Sequence, residues 1–254
     1  MTPRDLVRST LPFVIALGAI VLIWKLYSLS VPSYLLPPPE QVFERYSKVM
    51  NDPKFYASIG RSLARLGGGF AIATLIGVSV GLLSSTVKAF RNYARAFLAI
   101  MQSVPPIAYL PLLILLLGFG DKSVLWVITL AALFPIAINA LAAVEQVNSV
   151  LLSAAKNLGA NPRQLATRVY LPAALPVLIS GAQAGFGNAW RALIAAEMFG
   201  GTNIGLGWSI ASASQVGDVT SVLLGITVIA FLSVLIDGLG FGLAKRLLMR
   251  WQYA

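Results

Sequence analysis

Eight polar or charged side chains stand within or at the ends of the long apolar runs of this chain: Lys25, Gln102, Asn139, Gln183, Asn188, Arg191, Glu197 and Asp237. Burying such groups among apolar neighbours is costly, so each must face protein or a wet cavity rather than hydrocarbon. The chemistry open to them is recognition. Amides donate and accept hydrogen bonds, a guanidinium offers a planar fork of donors to an anion, and carboxylates balance cations. Lys25 and Asp237 lie near the ends of apolar runs, where snorkelling or a structural ion pair accounts for them. Gln183 and Asn188 share a run with Gly181 and Gly185 and are expected to face another helix, as interhelical glue or as the lining of a path. Arg191 and Glu197 pair with each other or with groups on other helices; the alternative for Arg191 is to snorkel or to attract an anion.

A second constellation is the basic island SAAKNLGANPRQLATRVYLP, Ser153 to Pro172. Asn161 is a good helix N-cap, Pro162 suits the first helical position, and Gln164 stands at capping-box spacing. A first helical piece should therefore stop at Gly159, where glycine takes left-handed backbone geometry cheaply. A second short helix should begin at Pro162, end near Arg168, and run into the next apolar segment at Leu171-Pro172. The result is a helix–turn–helix knob carrying Lys156, Arg163 and Arg168. From composition alone it could equally be an ordinary loop between helices.

What is missing narrows the classes further. There is no Cys and no His, so disulfides, thiolate metal sites and imidazole catalysis are excluded, and no metal site is expected. No acidic cluster has metal-ligand spacing, and no G-x-x-x-x-G-K-[ST] phosphate loop is present, so the chain does not bind ATP by that route. The net charge of +10 is scattered between apolar runs rather than gathered in a patch, which argues against nucleic acid.

These residues must be positioned by membrane helices. The chain is 57% hydrophobic and only 11% charged, with mean hydropathy +0.80. Uncharged runs fall at 9–24, 66–87, 96–120, 123–144, 169–190 and 219–236. Spans of about 20 residues are thus predicted near 11–29, 64–86, 95–119, 123–144, 172–197 and 219–244, giving an all-α membrane protein of one domain, residues 1–254. The segment 145–171 becomes an inner loop. With the N-terminus inside, the inner segments hold eleven basic residues (Arg4, Arg8, Lys88, Arg91, Arg95, Lys156, Arg163, Arg168, Lys245, Arg246, Arg250) against six outside (Arg45, Lys48, Lys54, Arg61, Arg65, Lys122). That asymmetry favours both termini in the cytoplasm. Arg4 and Arg8 before an apolar run imitate a secretory leader, but no small-residue cleavage site follows, so an uncleaved first span is expected.

Within this frame, Gly69, Ala73, Gly77 and Gly81 recur one helical turn apart, a stripe for close helix packing. Pro105, Pro106 and Pro111 break backbone hydrogen bonds in mid-membrane, tolerated where the backbone is buried or lines a cavity. Pro37-Pro38-Pro39 ends the first span, and Val42, Phe43, Tyr46, Val49 and Met50 mark one face of a helix on the outer surface. GGTNIGLGWSI at 200–210 reads as an outer loop or a short re-entrant piece.

The island from 153 resembles the EAA loop of the permease subunits of bacterial ABC importers: Ala154-Ala155, Gly159, Val169 and Leu171-Pro172 match, while Ser153 replaces the family's Glu. LLPPPEQVF, SLARLGGGFAIATLIGVSVGLL, QSVPPIAYLPLLILLLGFG, AWRALIAAEM and GLGWSI resemble, in order, segments of the nitrate, sulfonate, taurine and bicarbonate import group. The resemblance implies the type I ABC importer permease fold with six transmembrane helices in the bacterial inner membrane. It implies no cofactor in this chain, with ATP and Mg in a partner ATPase. Partners would be two ATPase subunits, a second copy of the permease, and a binding protein delivering a small, anionic solute. Ser153, Ala154, Ala155, Lys156, Gly159, Ala160, Asn161, Pro162, Arg163, Gln164, Arg168, Leu171 and Pro172 would then couple to the ATPase. Gln102, Pro105, Pro106, Gln183, Asn188, Arg191 and Glu197 are the candidate path. The charge missing at Ser153 is replaced by a neutral contact or taken from elsewhere, with Glu145 a candidate. An ion-coupled transporter working alone would instead need mid-depth carboxylates, and a membrane enzyme a cluster of His, Asp or Cys.

Overall fold

The computed structural model of the chain describes residues 3–86 and 88–248, apart from the side chains of 3–10, 13, 85, 86, 88 and 89. The expected inner charges of Arg4, Arg8 and Lys88, whose side chains are not described, and Arg250 therefore lie outside this description. The elements are α1 (Pro3–Ser28), α2 (Pro39–Val49), α3 (Pro53–Thr86), α4 (Lys88–Ser103), α5 (Leu110–Leu117), α6 (Asp121–Glu145) and α7 (Ser149–Asn157). They are followed by α8 (Pro162–Phe199), α9 (Leu206–Gln215) and α10 (Val219–Leu248).

Among the described residues α3, α6, α8 and α10 are each long and apolar enough to cross a membrane. The expected third span is not one helix. Its axis turns by 86° between Phe90–Ser103 and Pro106–Leu117, because prolines 105 and 106 carry no N–H and bias the preceding residue away from helix. Pro105 is extended (φ −57°, ψ 128°), and a 3-10 turn, Pro106–Tyr109, restarts the chain toward α5. Counting the bent pair as one span gives five among the described residues, and α1 adds a shorter apolar stretch, Val14–Ser28.

The most buried of them is α6, held between α3 and α8. Lipid supplies no hydrophobic drive between helices, so close van der Waals contact must join them. The small-residue stripe supplies it. A Cβ added at Gly77 would lie 3.0 Å from the Leu133 carbonyl oxygen, and one at Gly81 only 2.5 Å from that of Ala137; Ala73 is fully buried. Ile136, which Gly77 meets from α3, also receives Gly185 of α8. Phe70, Phe186, Trp190 and Phe241 stack edge to face or face to face where α3, α8 and α10 meet.

Several boundaries differ from expectation. α3 starts at Pro53 rather than 64, since the charges of Arg61 and Arg65 are paired and so do not end the helix. The short helix expected to end near Arg168 instead continues into α8 through a π-helical turn, Leu165–Tyr170. The segment at 200–210 is a loop to Gly205 and then α9. The expected helix after the prolines forms as α2, starting at Pro39, with Val42 buried, but Phe43 on the same expected face is exposed. Arg45 ties α2 to Asp218, the N-cap of α10. Partial burial opposes ionisation of Asp218, yet hydrogen bonds from Ser221 and the neighbouring Arg45 outweigh it and hold the carboxyl below its ordinary range.

Candidate functional site

The break in α4–α5 opens a cavity of about 310 Å³ against α6 and α8. Gln102, Ser103, Pro105, Pro106 and Tyr109 form one wall. Asn188, Arg191, Ala192 and Ala195 form another, at the i, i+3, i+4, i+7 spacing of a single helix face. The alanines leave room, and the two polar residues point into it. From α6 come Ala131, Phe134 and Pro135. Pro135 inside the helix cannot bond the carbonyl four residues back, so Ala131 offers a backbone acceptor that a regular helix would have used. Gln102, Pro105, Pro106, Asn188 and Arg191 are thus brought together. Arg191 donates to the Asn188 Oδ1 at 2.6 Å.

Gln183 and Glu197 are not part of this cavity. Gln183 donates to Asp237 Oδ1 at 2.9 Å and accepts from Lys245 Nζ at 2.7 Å, a polar bridge between α8 and α10. Lys25 meets Glu40 at 2.7 Å near the end of α1, and this bond from Lys25 holds the Glu40 carboxyl below its usual range. Asn139 packs on Gly181 and donates to the Pro135 carbonyl at 2.8 Å.

Glu197 takes the second of its two expected kinds of partner: it pairs not with Arg191 but with a group on another helix, its side chain fully buried, away from this cavity and bonded to Arg65 at 2.5 Å. Ser62 Oγ donates to its carboxylate at 2.8 Å and the Gly207 N–H, in the first turn of α9, donates at 2.9 Å. Arg65 also reaches Asp121 at 2.6 Å and the Ile204 carbonyl at 2.7 Å, and Arg61 joins Asp121 at 2.9 Å. Two cations and two anions therefore form a neutral cluster joining α3, α6, α8 and the 200–206 loop. Any Cβ on Gly205, where φ is +149°, would fall 2.6 Å from the carboxylate. The carboxylate that an ion-coupled mechanism would need is locked. Arg65, Ser62 and Asp121 were missed as partners; the signal was that Arg61 and Arg65, four apart, share one face of the helix entering the membrane.

The 149–172 segment forms a knob. Asn148 caps α7 by accepting from the Val150 N–H at 2.8 Å. α7 ends in a left-handed glycine: Gly159 has φ +80°, its N–H bonds to Lys156, and the Ala160 N–H reaches back to Ala155. Such paired bonds close a helix end. Asn161 and Gln164 bond each other's backbone N–H at 2.8 and 2.9 Å, both halves of the capping box. The knob exposes Ser153, Lys156, Leu158, Arg163 and Arg168, and among the described residues its three basic side chains have no carboxylate partner. Glu145 does not supply charge beside Ser153, because Arg91 and Arg95 of α4 hold it.

Comparison with known proteins follows the same lines. The family of binding-protein-dependent transport system inner membrane components matches residues 73–249. The taurine transport system permease protein of Escherichia coli (strain K12) is 35% identical over 235 residues, covering 90% of this chain and 85% of that protein. The nitrate import permease protein of Synechocystis sp. is 26% identical over 232 residues, covering 88% and 84%. Among solved structures, an inward-facing form of the MetNI methionine ABC transporter superposes with a TM-score of 0.66 at 22% identity, covering 78% of this chain and 99% of that one. At that identity the likeness speaks for the fold.

Proposed function

Given that the chain belongs to the family of binding-protein-dependent transport system inner membrane components, and so is the permease subunit of an ABC importer in the inner membrane, we propose that it works as a homodimer on two ATPase subunits and carries a small anionic solute. A separate ATPase hydrolyses ATP, and a binding protein presents the solute. Both termini lie in the cytoplasm, which sets the 149–172 knob against the ATPases. ATP and Mg are held by those subunits. Taurine and nitrate, named for two relatives, are a sulfonate and a small oxyanion. The cavity between the α4–α5 break and α8 is the part of the path this chain contributes.

One observation carries the coupling role: the knob is rigid where it must transmit force and unpartnered where it must touch. The glycine turn and the reciprocal cap fix the angle between α7 and α8. Leu158, 88% exposed at the tip, and the unpaired basic residues await a surface of matching apolar and acidic character. Since α8 runs unbroken from the knob to Arg191, displacement at the ATPase reaches the cavity wall directly. Gly159→Val tests this. A β-branched residue at a left-handed position costs about 1–3 kcal/mol and re-angles the knob. Membrane insertion should persist while solute-stimulated hydrolysis and uptake become uncoupled. Normal coupled uptake in the purified complex would remove the knob from the coupling role.

A further inference from the structure

Among the described residues, the arginines that pack among the helices each have a carboxylate, except one. Arg45 is paired with Asp218, Arg61 with Asp121, Arg65 with Asp121 and Glu197, and Arg91 and Arg95 with Glu145. Arg163, Arg168 and Arg246 lack a carboxylate too, but they lie at the knob and the last turn of α10. Arg191 lies well inside α8 and opens into a cavity with no acid in its lining. Among the described residues its partner is the neutral Asn188.

We propose that Arg191, oriented by Asn188, is an anion-selecting element within the permease itself, holding the sulfonate, carboxylate or similar oxyanion head of the solute in transit. This deepens the reading of the cavity as a path and rests on it. A guanidinium within a span needs a counter-charge. A fixed one, as Glu197 is for Arg65, would lock the site; a mobile one can bind and leave, which conduction requires. Asn188 holds one terminal nitrogen through its Oδ1 without cancelling the charge, leaving the remaining donors for a bidentate contact. The other polar features of the wall, the Gln102 amide, the Ser103 and Tyr109 hydroxyls and the Ala131 carbonyl freed by Pro135, are neutral. They tolerate a polar or ammonium tail but do not substitute for the anionic head.

Asn188→Asp is the sharpest probe, because it places a carboxylate 2.6 Å from the guanidinium at unchanged shape. Purified chain is heated with ethanesulfonate, taurine, nitrate or choline. The anion-bearing probes should raise the unfolding midpoint of the parent by mass action and choline should not. The rise should vanish in Asn188→Asp and Arg191→Gln and survive in part in Arg191→Lys, which keeps charge but loses the planar fork. In the reconstituted complex with its ATPase and binding protein, uptake of the probe carried should fall about tenfold in Asn188→Asp, the size of a lost charge-assisted hydrogen bond. No shift with any anion, or equal shifts and uptake in parent and Asn188→Asp, overturns the proposal. An anion shift in a chain that never associates with an ATPase would overturn the importer reading and leave the anion site standing.

Discussion

At the scale of single residues, the molecule treats its intramembrane charges in two opposite ways. Glu197 and Arg65 are sealed, with partners on every side, and Arg191 is left open. Ion pairs of the sealed kind add little over a well-packed apolar pair, but breaking one leaves an uncompensated buried charge. Arg65→Met should therefore lower the unfolding free energy in detergent by about 3–5 kcal/mol. Adding Glu197→Leu to it should return much of that loss, since the orphan charge goes with it. A double-mutant cycle reads the coupling directly, and additive losses would mean that the two residues do not depend on each other. Sequence alone made Glu197 legible as a polar group needing a partner. It did not make Arg65 legible, because counting uncharged runs ends a span at the first charge. A helix does not end there when the charge finds a carboxylate on a neighbouring element, which only the fold supplies.

At the scale of elements, spacing foretold most of what the helices do. The stripe Gly69, Ala73, Gly77 and Gly81 lies against α6, and the Gly159 turn and Asn161–Gln164 box form where local propensity puts them, because each depends on residues within a turn of one another. The 86° break was legible as a disturbance at Pro105 and Pro106 but not as an angle, which depends on packing against α6 and α8. The glycines separate packing from propensity. Gly81→Ala puts a methyl 2.5 Å from the Ala137 oxygen and the Ala140 Cβ, so α6 must move, at about 1–3 kcal/mol for overpacking. Gly67, on the same helix, has nothing within 4 Å of an added Cβ, and Gly67→Ala should stabilise by up to about 1 kcal/mol. Thermal unfolding of the two variants should move in opposite directions; a shared gain would show that helix propensity, not the α3–α6 contact, governs the stripe.

At the scale of the whole molecule, the proposed orientation rests on a sum rather than on any one residue, eleven basic residues against six. The fold sorts those charges by end. Arg45, Arg61 and Arg65 find Asp218, Asp121 and Glu197 at one end of the bundle, while Arg91 and Arg95 find Glu145 at the other, where α7 begins. Ion pairs thus occur at both ends, and the exposed Lys156, Arg163 and Arg168 of the knob, without a carboxylate partner among the described residues, add the basic excess that the positive-inside rule counts as held back from translocation. If the knob faced outward, its Lys156, Arg163 and Arg168 would meet the binding protein instead of the ATPase, and force could not reach α8 through Gly159. The chain has no cysteine, so one introduced thiol reports without background. Ser153→Cys, exposed on the knob, should react with a membrane-impermeant maleimide only after the cells are opened. Lys122→Cys, exposed at the start of α6, should react in intact cells. The reverse pattern would invert the molecule and, with it, the direction in which α8 transmits movement from the knob to Arg191.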